Sequence, residues 1–483
     1  MLSYNSQNWR QDAGGVWNLG KDIGFGYGWR LQAGSIYPVI YNGSVQYLIF
    51  SDATGAEYRL DQDNGNWIFR SKEGLHLWMD WGTGILYFPD GSRWYMWIQS
   101  SALEPDAGTR YPIDMVDTNG NHIYLGYQTG VGANYVNTSA RLTVIQSSDF
   151  GYGFSYSGGA LPHLTGFYTP TGAYTLSYNN TSLKDPFGGA VFGNTSLLSS
   201  FTTNGLGTSH QFTYYSNASG TSSGEMTQVT TPLGGTLGWT YRTYNYSGPN
   251  LSYREVATRT MSSGSFSGAV SNSWTTSTDT GASQHATWTI ADSGANSSKV
   301  WTFGTSGVGQ ALPASYEERG PGGTALLHTD YTWTTDSVSN IYVGTVLNTQ
   351  NPGASQIQSK SVQTLDTYGN ITQSQVFDYS DLGKPAKTYN FTYVTDANYT
   401  SRYIRNRLLS ASVTPAGGSA TLWSATPTMA IPNLAAPPSP PATALCTTTT
   451  RTLARASLTA AMSRTALRLP ARSAWRTKPP ALL

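Results

Sequence analysis

The chain has 483 residues, enough for several domain equivalents and a sizeable core. Charged residues are only 11% and aromatics 13%, with 15 Trp and 32 Tyr, which excludes the charge-rich, aromatic-poor composition of a disordered protein. The net charge of +1 is uneven: Thr421 to Leu483 hold seven basic and no acidic residues, leaving 21 basic against 27 acidic before them, and that balance supplies no basic stripe for nucleic acid.

Met1 to Arg10 lacks a basic start followed by an apolar run, so no signal peptide is visible. The expectation is export by another route, or a true N-terminus upstream. Next, Gly24, Gly26 and Gly28 alternate with Phe25, Tyr27 and Trp29. The run is not a phosphate loop; it predicts a packed strand with close backbone approach. Downstream, Asn64-Gly65, Asp90-Gly91, Asn119-Gly120 and Asn204-Gly205 mark turns.

Between the turns the period is two. Tyr174, Leu176 and Tyr178 alternate with Thr175, Ser177 and Asn179; Trp239 and Tyr241 oppose Thr240 and Arg242; Tyr389, Phe391 and Tyr393 alternate with Thr388, Asn390 and Thr392. Half-buried strands require this pattern, because successive side chains point to opposite faces. No amphipathic helix is evident before residue 420, and no run of 18 apolar residues occurs, so no membrane span is expected. The predicted fold is all-β, built of many short antiparallel strands.

After Gly418 the composition changes abruptly to Ala, Thr, Pro, Arg and Ser. Two readings stand: a basic disordered tail, or out-of-frame translation after a frameshift near Gly418 to Thr421. The lone cysteine, Cys446, lies here, so the chain has neither a disulfide framework nor a thiolate metal site.

A turn device repeats. Asp117-Thr-Asn-Gly120-Asn121 and Asp366-Thr-Tyr-Gly369-Asn370 share Asp-x-x-Gly-Asn, and Asp52-Ala-Thr-Gly55-Ala56 is a looser form. Asp caps the turn through its own backbone, Gly takes the left-handed position, and a strand follows. The pattern resembles the repeat of the RHS/YD-repeat protein family. Phe377-Asp378-Tyr379 with Asp381-Leu382-Gly383-Lys384-Pro385 reads as a degenerate unit. The front of the chain is similar to the region preceding the repeats in bacterial members. Its matching segments are Tyr4-Asn5-Ser6-Gln7, Gly24 to Trp29, Gly34-Ser35-Ile36, Phe50 to Gly55, Leu86 to Ser92, Arg141 to Ile145, Gln228 to Gly235 and Arg254-Glu255-Val256. The order of these segments over about 415 residues carries the resemblance, and the middle, about 260 to 360, is diffuse. The family's self-cleaving core and variable toxin domain have no counterpart here.

The resemblance implies a spiralling β-sheet shell, the cocoon of that family, which encloses a toxic C-terminal domain or presents an adhesive surface. It divides the chain into an N-terminal β region (1–150), a shell region with degenerate repeats (151–360), repeat units (361–418) and the tail (419–483). A partial shell would leave an unpaired edge and exposed apolar surface, so aggregation is expected when the chain is expressed alone.

The chemistry-bearing residues give no catalytic, cofactor or metal site. His76, His122, His163, His210, His285 and His328 are scattered, whereas zinc ligands come in close pairs. Asp61-Gln-Asp63-Asn-Gly65 and Asp117 to Asn121 carry oxygens at every second residue, but neither completes a calcium loop. Asp185-Pro-Phe-Gly188 reads as a turn. Glu57, Glu73, Glu104, Glu225, Glu255, Glu317 and Glu318 are glycosidase carboxylates by type alone, with no pairing visible. Asn137, Asn194 and Asn370 head Asn-x-Ser/Thr triplets of the kind chance supplies. Trp94-Tyr-Met-Trp97, with Trp78 and Trp81, is either a sugar-stacking platform or interior packing.

The function expected is therefore structural: a shell segment of a secreted or cell-surface protein that encapsulates or displays another domain, without turnover and without a cofactor. Its partner would be an encapsulated toxin domain or a cell-surface glycan, with no nucleic acid and no membrane span. A carbohydrate-binding surface adhesin is the alternative, and a β-fold polysaccharide-acting enzyme a further one.

Overall fold

The computed structural model describes residues 2–425 other than 6–8, 12–16, 20–21, 64–65, 72–73, 129–139, 188, 217–219, 247–250, 265–270, 279–283 and 380. The Asn64-Gly65 turn, Glu73, Asn137, Gly188, Ser6-Gln7 and Cys446 lie outside the described residues. The structure is nearly all β, with 61% of the described residues in strands and 2% helical. Strands from Gly34–Tyr41 to Thr421–Ala425 follow one another mostly as antiparallel neighbours, making one long ribbon. Thr421–Ala425, assigned to the tail by composition, pairs with Leu408–Pro415.

One contact breaks the antiparallel rule. Gly172–Lys184 pairs antiparallel with Val191–Thr203 and also parallel with Thr221–Thr230, through Ser182↔Thr221 and Leu183↔Ser222. Those strands and Thr208–Ser216 between them thus close on themselves. Tyr174, Leu176 and Tyr178 face inward there while Thr175, Ser177 and Asn179 are exposed, as the alternation requires. The diffuse middle is regular sheet, running from Ser271–Thr278 to Ile357–Leu365. Its strands are rich in Ser and Thr, so hydrophobic alternation is faint there.

Inside the closure sits the glycine-rich run, and here the sequence reading is corrected. Residues 23–28 are bends and turns, and the strand begins only at Trp29. Gly24, Gly26 and Gly28 have φ of 103°, 88° and 83°, which a strand of L-residues cannot adopt. The segment is a tongue, held at its root by Asp22 Oδ1, which accepts from the amides of Gly24 and Gly26. Gly24 O accepts from Leu164 N, and Tyr27 N donates to Ser196 O. A Cβ on Gly24 would stand 2.6 Å from Pro162 O, and one on Gly26 2.8 Å from Leu198 N. The close approach was rightly inferred; the conformation was not. Phe25 is fully buried among Leu164, Leu176, Leu198 and Met226, and Tyr27 reaches Leu183 and Leu197.

A separate core fills the N-terminal part: Ile36, Leu48, Phe50, Leu60, Phe69, Met79, Leu86 and Met96. Beyond about residue 260 few apolar side chains are buried, and most strand residues are half-exposed on both faces.

The Asp-x-x-Gly-Asn turns have one geometry. Asp117 Oδ1 accepts from Asn119 N and Asn121 N at 2.8 Å each, and Asn121 Nδ2 returns a bond to Asp117 Oδ2. Asp366 repeats it with Tyr368 N, Asn370 N and Asn370 Nδ2. Asp52 accepts the same amide bonds, from Thr54 N and Ala56 N, and takes the Thr54 hydroxyl where the other turns have the Asn side chain. A further copy escaped the sequence reading: Asp336 takes Val338 N, Asn340 N and Asn340 Nδ2, with Ser339 in the glycine position at φ 69°.

This geometry makes a prediction for urea unfolding. Ser339→Gly should raise stability by about 1 kcal/mol by relieving left-handed strain, and Gly120→Ala, with open space around it, should cost about the same. Gly369→Ala should cost more, because its Cβ would lie 2.4 Å from His76 Nε2. Equal midpoints for the wild type and all three variants would contradict the assignment.

Candidate functional site

Beside the parallel pairing lies a cleft of about 440 Å³, lined by Lys184, Asp185, Tyr215, Ser222, Glu225 and Arg254 among others. Two of its charges, Glu225 and Arg254, pair with each other. Arg254 Nε and Nη2 donate to Glu225 Oε1 and Oε2 at 2.7 and 3.1 Å, and Nη1 donates to Thr243 Oγ1. Ser223 Oγ also donates to Glu225 Oε2. Ser222 Oγ donates to Tyr215 O and accepts from Gly224 N. Asp185, the first residue of the Asp-Pro-Phe turn, accepts from the amides of Phe187, Gly189 and Ala190. The arrangement is a joint: a two-point ion pair in a partly dry site ties Thr221–Thr230 to Leu251–Ser262, across the intervening strand Thr236–Tyr246, where the sheet closes.

Arg254 and Glu255 are consecutive in Leu251–Ser262, so they serve opposite faces. Glu255 Oε1 lies 2.7 Å from His285 Nε2, and Arg242 Nε is 3.5 Å from Oε2. Tyr244, Tyr246 and Trp288 surround the imidazole, with ring centroids 4.2, 5.3 and 5.4 Å away. Burial, then the charge of Glu255, pushes the Tyr246 phenol well above its ordinary pKa. A third buried pair joins Arg141 Nη2 to Glu104 Oε1 and Oε2 at 3.0 and 2.9 Å, both side chains fully excluded from solvent.

The six described glutamates each meet a basic side chain: Glu57 meets Arg30, Glu104 Arg141, Glu225 Arg254, Glu255 Arg242 and the His285 ring, Glu317 Arg319 and Glu318 Lys299. The carboxylates of the supposed calcium loops are likewise engaged. Asp61 meets Arg59 and Asp63 meets Arg70, both at 2.6 Å, while Asp117 serves its turn. Among the described residues no group of three or more His, Cys, Asp or Glu could hold a metal ion. Asn194 stands exposed in Val191–Thr203, and Asn370 is buried.

The histidines do not meet. His122 binds Asp114, His163 binds Asp22 and His285 binds Glu255, while His210 packs against Phe201. His328 lies 3.1 Å from both Glu317 and Asp330. His76 lies in a seam that joins the two ends of the ribbon. Tyr403 Oη donates to His76 O at 3.1 Å, Arg405 N donates to Pro89 O at 2.8 Å, and Asp90 bridges Ile404. Trp78 and Tyr403 are 5.0 Å apart, and Arg405 lies over the rings of Tyr368 and Tyr403. The Asp turns feed this seam: Asn340 Nδ2 reaches Thr367 O and Asn370 Nδ2 reaches Arg405 O. Asp336, Asp366 and Asp396 recur at a 30-residue spacing, a signal the motif search missed because Ser339 replaces glycine.

The tryptophans divide. Trp94 packs on Phe50 and Phe88 and covers Gly34, inside the N-terminal core. Trp97 is 40% exposed, with its Nε1 fixed on Thr83 O, and Trp67 is 59% exposed. Trp81 carries the Arg110 guanidinium 3.7 Å above its ring.

No family model matches the chain, and no curated protein matches it. Among solved structures it is similar to the TcdB2-TccC3-Cdc42 complex, at 11% identity over 74% of this chain and 20% of that one, with a TM-score of 0.35. A second is a variant of the Photorhabdus luminescens Tc holotoxin pore, at 10% identity over 80% and 19%, TM-score 0.37. A third is the N-terminal domain of the effector protein SpvB from Salmonella typhimurium strain LT2, at 13% identity over 52% and 90%, TM-score 0.17. The chain spans about a fifth of the length of the two toxin-complex chains.

His328 gives a pH prediction. Burial opposes its charge, but hydrogen bonds and charges from Asp330 and Glu317 outweigh it, and its pKa lies above the ordinary value. A raised folded pKa stabilises fully below the unfolded value of about 6.5 and is lost as pH rises through the folded value. His328→Gln should therefore lower the urea midpoint at mildly acidic pH and leave it nearly unchanged in alkali. An equal loss at both would refute the pairing.

Proposed function

We propose that the chain is a structural segment of a β shell in a secreted or cell-surface protein, and that the shell encloses another domain, with a toxin domain as the expected cargo. The observation that carries this reading is the ribbon itself. One antiparallel ladder runs from Gly34 to Ala425 and folds back so that Tyr403, Ile404 and Arg405 dock on residues 76–90. A sheet that bends back onto its own start makes a wall, and a wall with few buried residues on either face beyond about residue 260 leaves an inner surface to cover. The ion pairs of Glu104, Glu225 and Glu255 then act as joints of the wall, and the reading assigns the chain no turnover.

The test is protection of cargo. A protease-sensitive reporter domain fused after Leu483 should be digested many-fold more slowly than the free reporter, and Tyr403→Ala, which loosens the seam, should abolish the protection. Digestion at the free rate in both proteins would contradict enclosure.

A second reading, a carbohydrate-binding surface, has one observation in its favour: Trp97 and Trp67 present exposed rings near the Arg110-capped Trp81. On that reading Trp97→Ala abolishes binding on a glycan array and leaves the melting temperature unchanged. Trp94→Ala instead costs about 3–5 kcal/mol of stability, because Trp94 belongs to the core. An array that is silent for the wild type removes this reading.

A further inference from the structure

The two rims of the ribbon differ in chemistry. Successive antiparallel strands send their connecting turns alternately to one rim and the other. One rim bears the turns at 336–340 and 366–370 and the segment 394–407, which carry Asp336, Asp366, Asp396, Arg402, Arg405 and Arg407 and engage residues 76–90 at the seam. The other bears the turns at 204–207, 231–235, 293–296, 320–324, 351–356, 378–386 and 416–420.

All of these except 378–386 lack any Asp, Glu, Lys, Arg or His. Two adjacent ones, 204–207 and 231–235, each present a leucine to solvent. Leu206 is 77% exposed and Leu233 91%, on neighbouring turns; Leu326, Ile357, Tyr379 and Leu422 follow at 49, 46, 57 and 63% on or beside the later ones. Neighbouring turns on a rim are two strands apart, so the tips bearing Leu206 and Leu233 stand about 10 Å from each other. The turns that lift Leu206 and Leu233 are built for projection. Gly207 N and Leu206 N both donate to Thr203 O; Gly234 N donates to Thr231 O; Gly207 and Gly234 hold φ of 61° and 85° with open space around them.

We propose that this rim is a membrane-insertion edge, seating its apolar tips in the interfacial region of a lipid bilayer. Two features favour lipid over a protein partner. The apolar groups stand singly on convex turns, whereas a protein interface needs a contiguous, complementary patch. The tips also lack charges that would pair with a partner. The same lack fixes the lipid class. Without Lys or Arg in the tips, binding rests on apolar burial in the interface, not on anionic headgroups. Asp378, Asp381 and Lys384 make the 378–386 turn the weakest part of the edge, although Asp381 already accepts from the amides of Gly383 and Lys384.

The test is co-sedimentation of the full chain with vesicles of phosphatidylcholine alone and of phosphatidylcholine mixed with phosphatidylserine, at low and high salt. The expected result is equal binding to both, insensitive to salt, reduced about tenfold in the Leu206→Ser/Leu233→Ser double variant. Leu103→Ser, at a leucine 62% exposed off the rim, should bind like the wild type. The wild type and both variants should melt alike, since the changed side chains are exposed. Failure of the wild type to sediment overturns the proposal, as does undiminished binding of the double variant. Binding confined to phosphatidylserine vesicles and lost in salt would also overturn it. Self-association abolished by the double variant, without vesicle binding, would reassign the rim to contacts between copies of the chain.

Discussion

The fold turns on a short segment with little regular structure. Asp22 collects the amides of Gly24 and Gly26, and the tongue this creates carries Phe25 and Tyr27 into the space that the closing strands leave. A strand could not do this work. Phe25 and Tyr27 of a strand would share one face and could not fill the two separate clusters they enter, and Cβ atoms at positions 24 and 26 would collide with Pro162 O and Leu198 N. Three glycines in the left-handed region let backbone meet backbone while both rings point into apolar surroundings. The parallel pairing of Ser182 and Leu183 with Thr221 and Ser222, the Glu225–Arg254 joint and the Tyr4 hydroxyl bridging Gly224 O and Met226 N all gather around this plug.

From that plug outward the molecule thins. The first part is held by two ordinary apolar cores, whereas the later ribbon is held by its ladder, its Asp turns and the seam. Each Asp turn satisfies its own amides and then passes one side-chain bond to the next segment. The seam is therefore built from repeated local units and needs no large buried surface. Long-range order comes from a few contacts at large sequence separation, of which Tyr403 to His76 is the longest hydrogen bond in the seam. Such contacts form late and depend on everything between them being in register.

Much of this was legible in the residues. Alternation of Tyr174, Leu176 and Tyr178 with polar neighbours gave strand and face, and Asp117 and Asp366 announced turns whose hydrogen bonds follow from their chemistry. The tongue was misread because Gly-aromatic alternation has the same period as a strand; only the absence of β-branched residues between the aromatics argued otherwise. Asp336 was missed because the search required glycine where Ser339 accepts left-handed strain. The buried pairs Glu104–Arg141 and Glu255–His285 join residues 37 and 30 positions apart with no local pattern, and Trp94 sits in the strand Arg93–Tyr95 against the core while Trp97 lies just beyond it, turned outward. Tertiary placement, not propensity, decides such matters.

The central claim is that the far end of the ribbon closes on its beginning, and a cross-link reads this most directly. Asp90 and Ile404 face each other across an antiparallel bridge, a spacing at which paired cysteines oxidise without backbone movement. With Cys446→Ser as background, the Asp90→Cys/Ile404→Cys protein should oxidise to an intramolecular disulfide, migrating faster on a denaturing gel until reduced. Persistent free thiols, or only disulfide-linked dimers, would show that the ends do not meet and would contradict the account.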